Sequence, residues 1–200
     1  MFTSRSIQST LTFRDKIFSI DYILVFSILT LGVISMFAMY STDGGSFAYH
    51  TRSHILRFFV FFSLFIIISF FPIKFWFQSS LIIYLVFFLL LIGVKYFGLT
   101  SSGSQRWINL YVINLQPSEL MKIGLILFLA KYYHRIPVSD VNKFRFLFLP
   151  IICVTAPSLL VISQPDLGTA ILIVAGGIIV AWLAGIKFKF FAYISIIFLA

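Results

Sequence analysis

Glu119 and Lys122 stand three residues apart in "QPSELMKIGLILFLA", just before an apolar run. On a helix, that spacing puts the two on one face within pairing reach. Lys122 would lie ~7.5 Å beyond Pro117 at 1.5 Å per residue, inside a segment composed like a membrane interior. A charge at the centre of a span costs about 2.5–3.5 kcal/mol on insertion scales, and a cation near a helix N-terminus also opposes the dipole. Pairing with Glu119 lowers that cost. Two roles stay open for the pair: a structural clip that orders a bundle, or the wall of a polar cavity for an anionic ligand.

A second acid sits in a similar setting. "QPSEL" at Gln116–Leu120 is echoed by "QPDLG" at Gln164–Gly168. Proline suits the first helical position, where its missing N–H has no intrahelical partner anyway. With Pro117 and Pro165 in those positions, Gln116 and Gln164 fall at the caps, Ser118 follows Pro117, and Glu119 and Asp166 fall in the first turns. The helix dipole alone then explains both carboxylates. If the two segments enter the membrane from one side, Asp166 also shares a cavity with Glu119 and Lys122. Arg106-Trp107 fits two descriptions, a bidentate phosphate binder and an ordinary interfacial anchor. "HTRSH", with His50, Arg52 and His54, has histidines four apart, but it reads as a loop without a third ligand, so no metal site is expected there.

The elements that must position these residues follow from composition. Of 200 residues, 60% are hydrophobic and 10% charged, with mean hydropathy +1.06. A soluble domain has no use for such a balance, so the chain reads as an integral membrane protein. The +9 formal charge therefore bears on topology rather than on nucleic acid. No zinc spacing, Walker A loop or dinucleotide fingerprint occurs, and the lone Cys153 precludes an intrachain disulfide. The N-terminus lacks the pattern of a signal peptide.

About 20 residues cross a hydrocarbon core. Six runs approach that length: Tyr22–Tyr40, Ile55–Phe71, Ser80–Phe97, Gln116–Tyr133, Phe146–Ser163 and Leu167–Ile186, with the start of a seventh from Phe190. The expected class is all-α, a polytopic transmembrane bundle over residues 22–200, preceded by a cytoplasmic segment at residues 1–21. With the N-terminus inside, ten Lys and Arg residues fall on inner segments and four on outer ones, as the positive-inside rule asks. The outer stretches are then 41–54, Gly98–Leu115 and the turn at Gln164–Asp166. Gly177, Ala181 and Gly185, four apart, form a small-residue face for close helix packing.

The order "GSQRWINL…LQPSELMKIGLILFLA…SQPDLGTAI" resembles the SEDS family of shape, elongation, division and sporulation proteins, over about residues 15–190. Gly103 to Lys122 and Gln164 to Ala170 carry the likeness, and "INLYVINLQPSE" is more similar to the RodA branch than to the FtsW branch. The resemblance implies a ten-helix glycosyltransferase of the bacterial cytoplasmic membrane. Such an enzyme polymerises lipid II on the outer face, releases undecaprenyl diphosphate and works with a class B penicillin-binding protein in the elongation machinery. It implies importance for Arg106, Glu119, Lys122 and Asp166, and family analogy allows a divalent cation although no metal site is readable. The family's presumed catalytic aspartate lies in a large outer loop after the seventh helix. The expectation is therefore an N-terminal portion, ending at Ala200, that lacks the general base and is inactive alone. The cavity candidates are Arg106, Trp107, Gln116, Ser118, Glu119, Lys122, Gln164 and Asp166. A lipid-precursor flippase or a non-catalytic membrane scaffold for a penicillin-binding protein are the competing readings.

Overall fold

The computed structural model describes residues 13–101, 104–109, 114–187 and 190. The seventh span expected from Phe190 lies outside the described residues except for Phe190 itself. Seven helices and three short strands follow one another: α1 (Phe13–Phe18), α2 (Tyr22–Thr42), α3 (Tyr49–Ser69), α4 (Ile73–Phe97), β1 (Leu99–Ser101), β2 (Ser104–Asn109), β3 (Asn114–Leu115), α5 (Pro117–His134), α6 (Phe144–Ile162) and α7 (Leu167–Leu183). Four of the helices, α2, α3, α4 and α6, are long and apolar enough to cross a membrane. The shorter α7 has 17 residues. The chain is a mostly-α polytopic membrane protein; the six expected runs correspond to α2 to α7, of which four are long and apolar enough to cross. It divides into two compact units, Met1–Pro72 and Ile73–Ala200.

In the first unit, α2 starts where Asp21 accepts hydrogen bonds from the amides of Ile23 and Leu24 at 3.0 and 3.1 Å, the usual N-cap arrangement. It stops at Gly44 and Gly45, both left-handed, whose amides reach back to Ser41 and Tyr40. Asp43 then accepts from the amide and hydroxyl of Thr51, at 2.8 and 2.6 Å. That carboxylate joins the end of α2 to the first turn of α3, and the Thr51 hydrogen bonds hold its carboxyl below the usual range. Consequently α3 starts at Tyr49, not at Ile55, and "HTRSH" is helical rather than a loop. His54 Nε2 meets Ser35 Oγ at 2.9 Å between the two helices. Close packing has its own signature: a Cβ on Gly32 would strike the ring of Phe58. The phenylalanine-rich α3 is open, with Phe59, Phe61 and Leu64 exposed, as a lipid-facing surface requires.

In the second unit, α4 packs against α5, and α7 against both α5 and α6. Leu91, Met121, Leu125, Leu129, Val161 and Ile173 are fully buried at their centre. Two glycines set the distances. A Cβ on Gly124 would stand 2.9 Å from Phe87 of α4, and one on Gly177 would stand 2.5 Å from Val154 of α6. Gly185, expected on the same packing face, does something else. It has φ +94°, and its amide and that of Ile186 bond to Trp182 and Ala181 at 2.9 and 3.2 Å. It terminates α7 in a Schellman motif, so the helix ends at Leu183 rather than Ile186.

α6 carries Pro150 and Pro157 inside the helix. Each proline deprives the carbonyl four residues earlier of its amide partner, and those carbonyls belong to Phe146 and Cys153. Tyr132 of α5 donates to Phe146 O at 3.1 Å, and Tyr84 of α4 donates to Cys153 O at 3.0 Å. A tyrosine from a different neighbour therefore satisfies each vacancy, as hydrocarbon surroundings demand.

Candidate functional site

The described residues of Gly98–Leu115, the stretch expected on the outer side, form three short strands. β2 pairs antiparallel with β1, with Leu99 opposite Trp107, and with β3, with Ile108 opposite Leu115. The pairing fixes Arg106 and the half-buried Trp107 on a strand that also touches α4 and α5. Arg106 is 31% exposed.

α5 begins as expected, with Pro117 in the first turn and Gln116 as the N-cap residue. The Gln116 carbonyl accepts from the Glu119 amide at 3.1 Å. Its side chain makes no cap bond; Nε2 instead donates to Asp166 Oδ2 at 3.1 Å. α7 begins differently from the expectation. Asp166, not Gln164, is its N-cap, and Pro165 precedes the helix instead of opening it. The reason is chemical: a carboxylate caps better than a glutamine amide. Asp166 Oδ1 accepts from the Thr169 amide at 3.2 Å and Oδ2 from the Thr169 hydroxyl at 2.9 Å. Gln164 is displaced into the core, 5% exposed, and donates to Leu91 O of α4 at 3.2 Å. The two "QP" segments resemble each other in letters and differ in geometry.

Arg106 completes the cluster. Its Nη2 donates to Pro165 O at 3.1 Å, and its Nη1 stands 3.7 Å from Asp166 Oδ2. One end of the unit thus brings together β2, the N-terminus of α5 and the N-terminus of α7. Asp166 is only 11% exposed and receives donors from three elements. Thr169 was not singled out from the sequence, because the capping box calls for Glu or Gln at its position. Nothing local marks Gln116 as the partner of a residue 50 positions away.

Glu119 and Lys122 form the expected pair, at 2.9 Å. They lie off the buried stripe of α5, which runs through Ser118, Met121, Leu125 and Leu129. Glu119 is 54% and Lys122 23% exposed. Among the described residues no hydrogen bond or ion pair joins them to Asp166, so the pair and the Asp166 cluster are two separate polar groups. Ser118 is 3% exposed in the packed interior. No cluster of three or more His, Cys, Asp or Glu suited to a metal ion occurs among the described residues.

The opposite end of this unit is basic. Lys131 Nζ donates to Gln78 O at 2.8 Å, bringing the end of α5 to the start of α4. Asn142 accepts from the Lys187 amide at 2.9 Å and donates to Gly185 O, bringing the α5–α6 connection to the end of α7. Lys143 pairs with Asp140 at 2.9 Å, which holds that carboxyl below its ordinary range.

A family model of cell cycle proteins named for FtsW, RodA and SpoVE matches residues 15–200. The chain belongs to the FtsW/RodA/SpoVE family. It is 30% identical over 180 residues to "Peptidoglycan glycosyltransferase MrdB" of Escherichia coli K12, covering 89% of this chain and 47% of that protein. It is 32% identical over 152 residues to "Probable peptidoglycan glycosyltransferase FtsW" of Buchnera aphidicola from Schizaphis graminum, covering 74% and 43%. The fold is that of the rod shape determining protein RodA of Thermus thermophilus, solved as a D255A mutant, with TM-score 0.75, 24% identity, and 84% and 55% coverage. A chain in a peptidoglycan synthase complex that coordinates polymerization and crosslinking has the same fold, with TM-score 0.73, 24% identity, and 84% and 48% coverage. The chain spans about half the length of the curated relatives it matches.

Proposed function

We propose that this chain is part of a glycosyltransferase that polymerises lipid II into glycan strands during cell elongation. The observation that carries the reading is Arg106, held on a strand beside the starts of α5 and α7 in a family whose members are named peptidoglycan glycosyltransferases. A guanidinium there suits the diphosphate of a lipid-linked sugar donor. It binds the ground state and stabilises the charge that grows as the diphosphate leaves. Apolar surfaces between the helices suit the polyprenyl tail, and the Glu119–Lys122 pair shapes the polar wall nearby. The base that takes the acceptor hydroxyl proton is assigned, by resemblance, to the family's outer-loop aspartate.

Elongation rather than division is supported by "INLYVINLQPSE" and by the 180-residue alignment with MrdB. A class B penicillin-binding protein is the proposed crosslinking partner; the like-folded chain in a peptidoglycan synthase complex supports it. The proposed location is the bacterial cytoplasmic membrane with the N-terminus inside, which places the Arg106 end outward.

Arg106→Ala in the full-length polymerase with its partner is expected to lower glycan polymerisation from lipid II by about 100-fold, the usual scale for one lost transition-state donor. Unchanged polymerisation would remove the diphosphate role. Lipid II transport across vesicles without polymerisation would favour the flippase reading instead.

A further inference from the structure

We propose that Asp166 is a positioning residue, the anchor that registers Arg106 over the starts of α5 and α7, and not a proton acceptor. The proposal rests on the diphosphate reading of Arg106.

Three of the roughly four lone-pair sites of the Asp166 carboxylate accept hydrogen bonds. Oδ1 takes the Thr169 amide, and Oδ2 takes the Thr169 hydroxyl and the Gln116 amide at 2.9–3.2 Å, with Arg106 Nη1 at 3.7 Å beside them. A general base needs a lone pair turned toward the acceptor hydroxyl, whereas this carboxylate faces donors from β2, α5 and its own helix. Arg106, for its part, is gripped at two points: Nη2 by Pro165 O at 3.1 Å and Nη1 by the carboxylate. Both grips come from adjacent residues, Pro165 and Asp166, so they fix the plane of the guanidinium as well as its place. The strand bearing Arg106 is short, and this contact ties it to a residue 60 positions away. Gln116 braces the anchor from α5, so the three elements share one point.

The substitution that separates anchoring from capping is Asp166→Asn. Asparagine caps a helix as well as aspartate does, so α7 keeps its start. The charge facing Arg106 is lost, and one acceptor oxygen becomes a donor that opposes Gln116 Nε2, while the Thr169 hydroxyl can turn to accept from it.

Two measurements test this on the full-length protein in detergent or nanodiscs. The first is amide exchange by mass spectrometry. Asp166→Asn should speed exchange in Ser104–Asn109 while α4 and α6 stay protected. The second is binding of undecaprenyl diphosphate. Arg106→Ala and Asp166→Asn should each weaken it by about tenfold, the scale of one charge-assisted hydrogen bond. The double variant should be no weaker than Arg106→Ala alone, as for residues acting as a unit, and Asp166→Glu should regain part of the loss. Unchanged exchange in the strand, or additive losses, would overturn the positioning role. Faster strand exchange with full binding in Arg106→Ala would leave the anchor standing and sink the diphosphate reading.

Discussion

At the scale of single residues, Lys122 is the most informative side chain. Sequence alone left it between clip and cavity wall. The structure pairs it with Glu119 at 2.9 Å on the open side of α5, away from the buried stripe. An ion pair that is partly exposed contributes about 0–1 kcal/mol. Lys122→Ala should therefore leave the melting temperature in detergent nearly unchanged, while polymerisation by the full-length protein falls. A protein that no longer accumulates in the membrane would return Lys122 to the role of clip. The pair was legible because i, i+3 spacing is local. The Arg106–Asp166–Gln116 cluster was not, because its members are 50 and 60 positions apart, and only the packing of α5 on α7 brings them together. Asp166 was named, but as a first-turn residue. The sequence reading weighed proline's preference for the helix start and overlooked aspartate's stronger preference for the cap.

At the scale of elements, the six spans were readable from apolar runs, and their ends less so. α3 and α4 begin six and seven residues before the expected positions, because "HTRSH" and "KFWFQ" are too polar or aromatic to count as hydrocarbon yet helical in fact. The three short strands were invisible, since each contributes few residues and no alternating run. The small-residue face was half right. Gly177 does bring α7 against α6, and Gly177→Leu should destabilise the folded protein by about 1–3 kcal/mol, the cost of overpacking a filled interface. Thermal unfolding in detergent measures it. Gly185→Ala should act through backbone strain instead, because its φ of +94° suits glycine.

At the scale of the molecule, charge separates the two ends of the second unit. Lys131, Arg135, Lys143, Arg145 and Lys187 gather where α5 and α7 end and α6 begins, and Arg106 lies at the other. By the positive-inside rule this supports the proposed orientation. In a Cys153→Ala background, a cysteine at Ser139 should react with an impermeant maleimide only after the cells are opened. One at Asn114 should react in intact cells. The reverse pattern would invert the proposed topology and bring the Arg106 end to the cytoplasm. Fold class and family were legible at this scale because hydropathy and two short motifs are global and robust.

The two prolines of α6 carry a mechanical consequence. A helix interrupted twice would ordinarily be the place where a bundle bends. Here each gap is closed by a hydroxyl from a separate neighbour, Tyr84 on one side and Tyr132 on the other. Sliding α6 along either partner breaks a bond that no water in the hydrocarbon replaces, at about 0.6 kcal/mol each and up to ~1.7. α6 is thus tied to α4 and to α5 at the two points where proline leaves a carbonyl unpaired. The prolines of α6 therefore mark where the helix is tied to its neighbours, not where it is free to hinge.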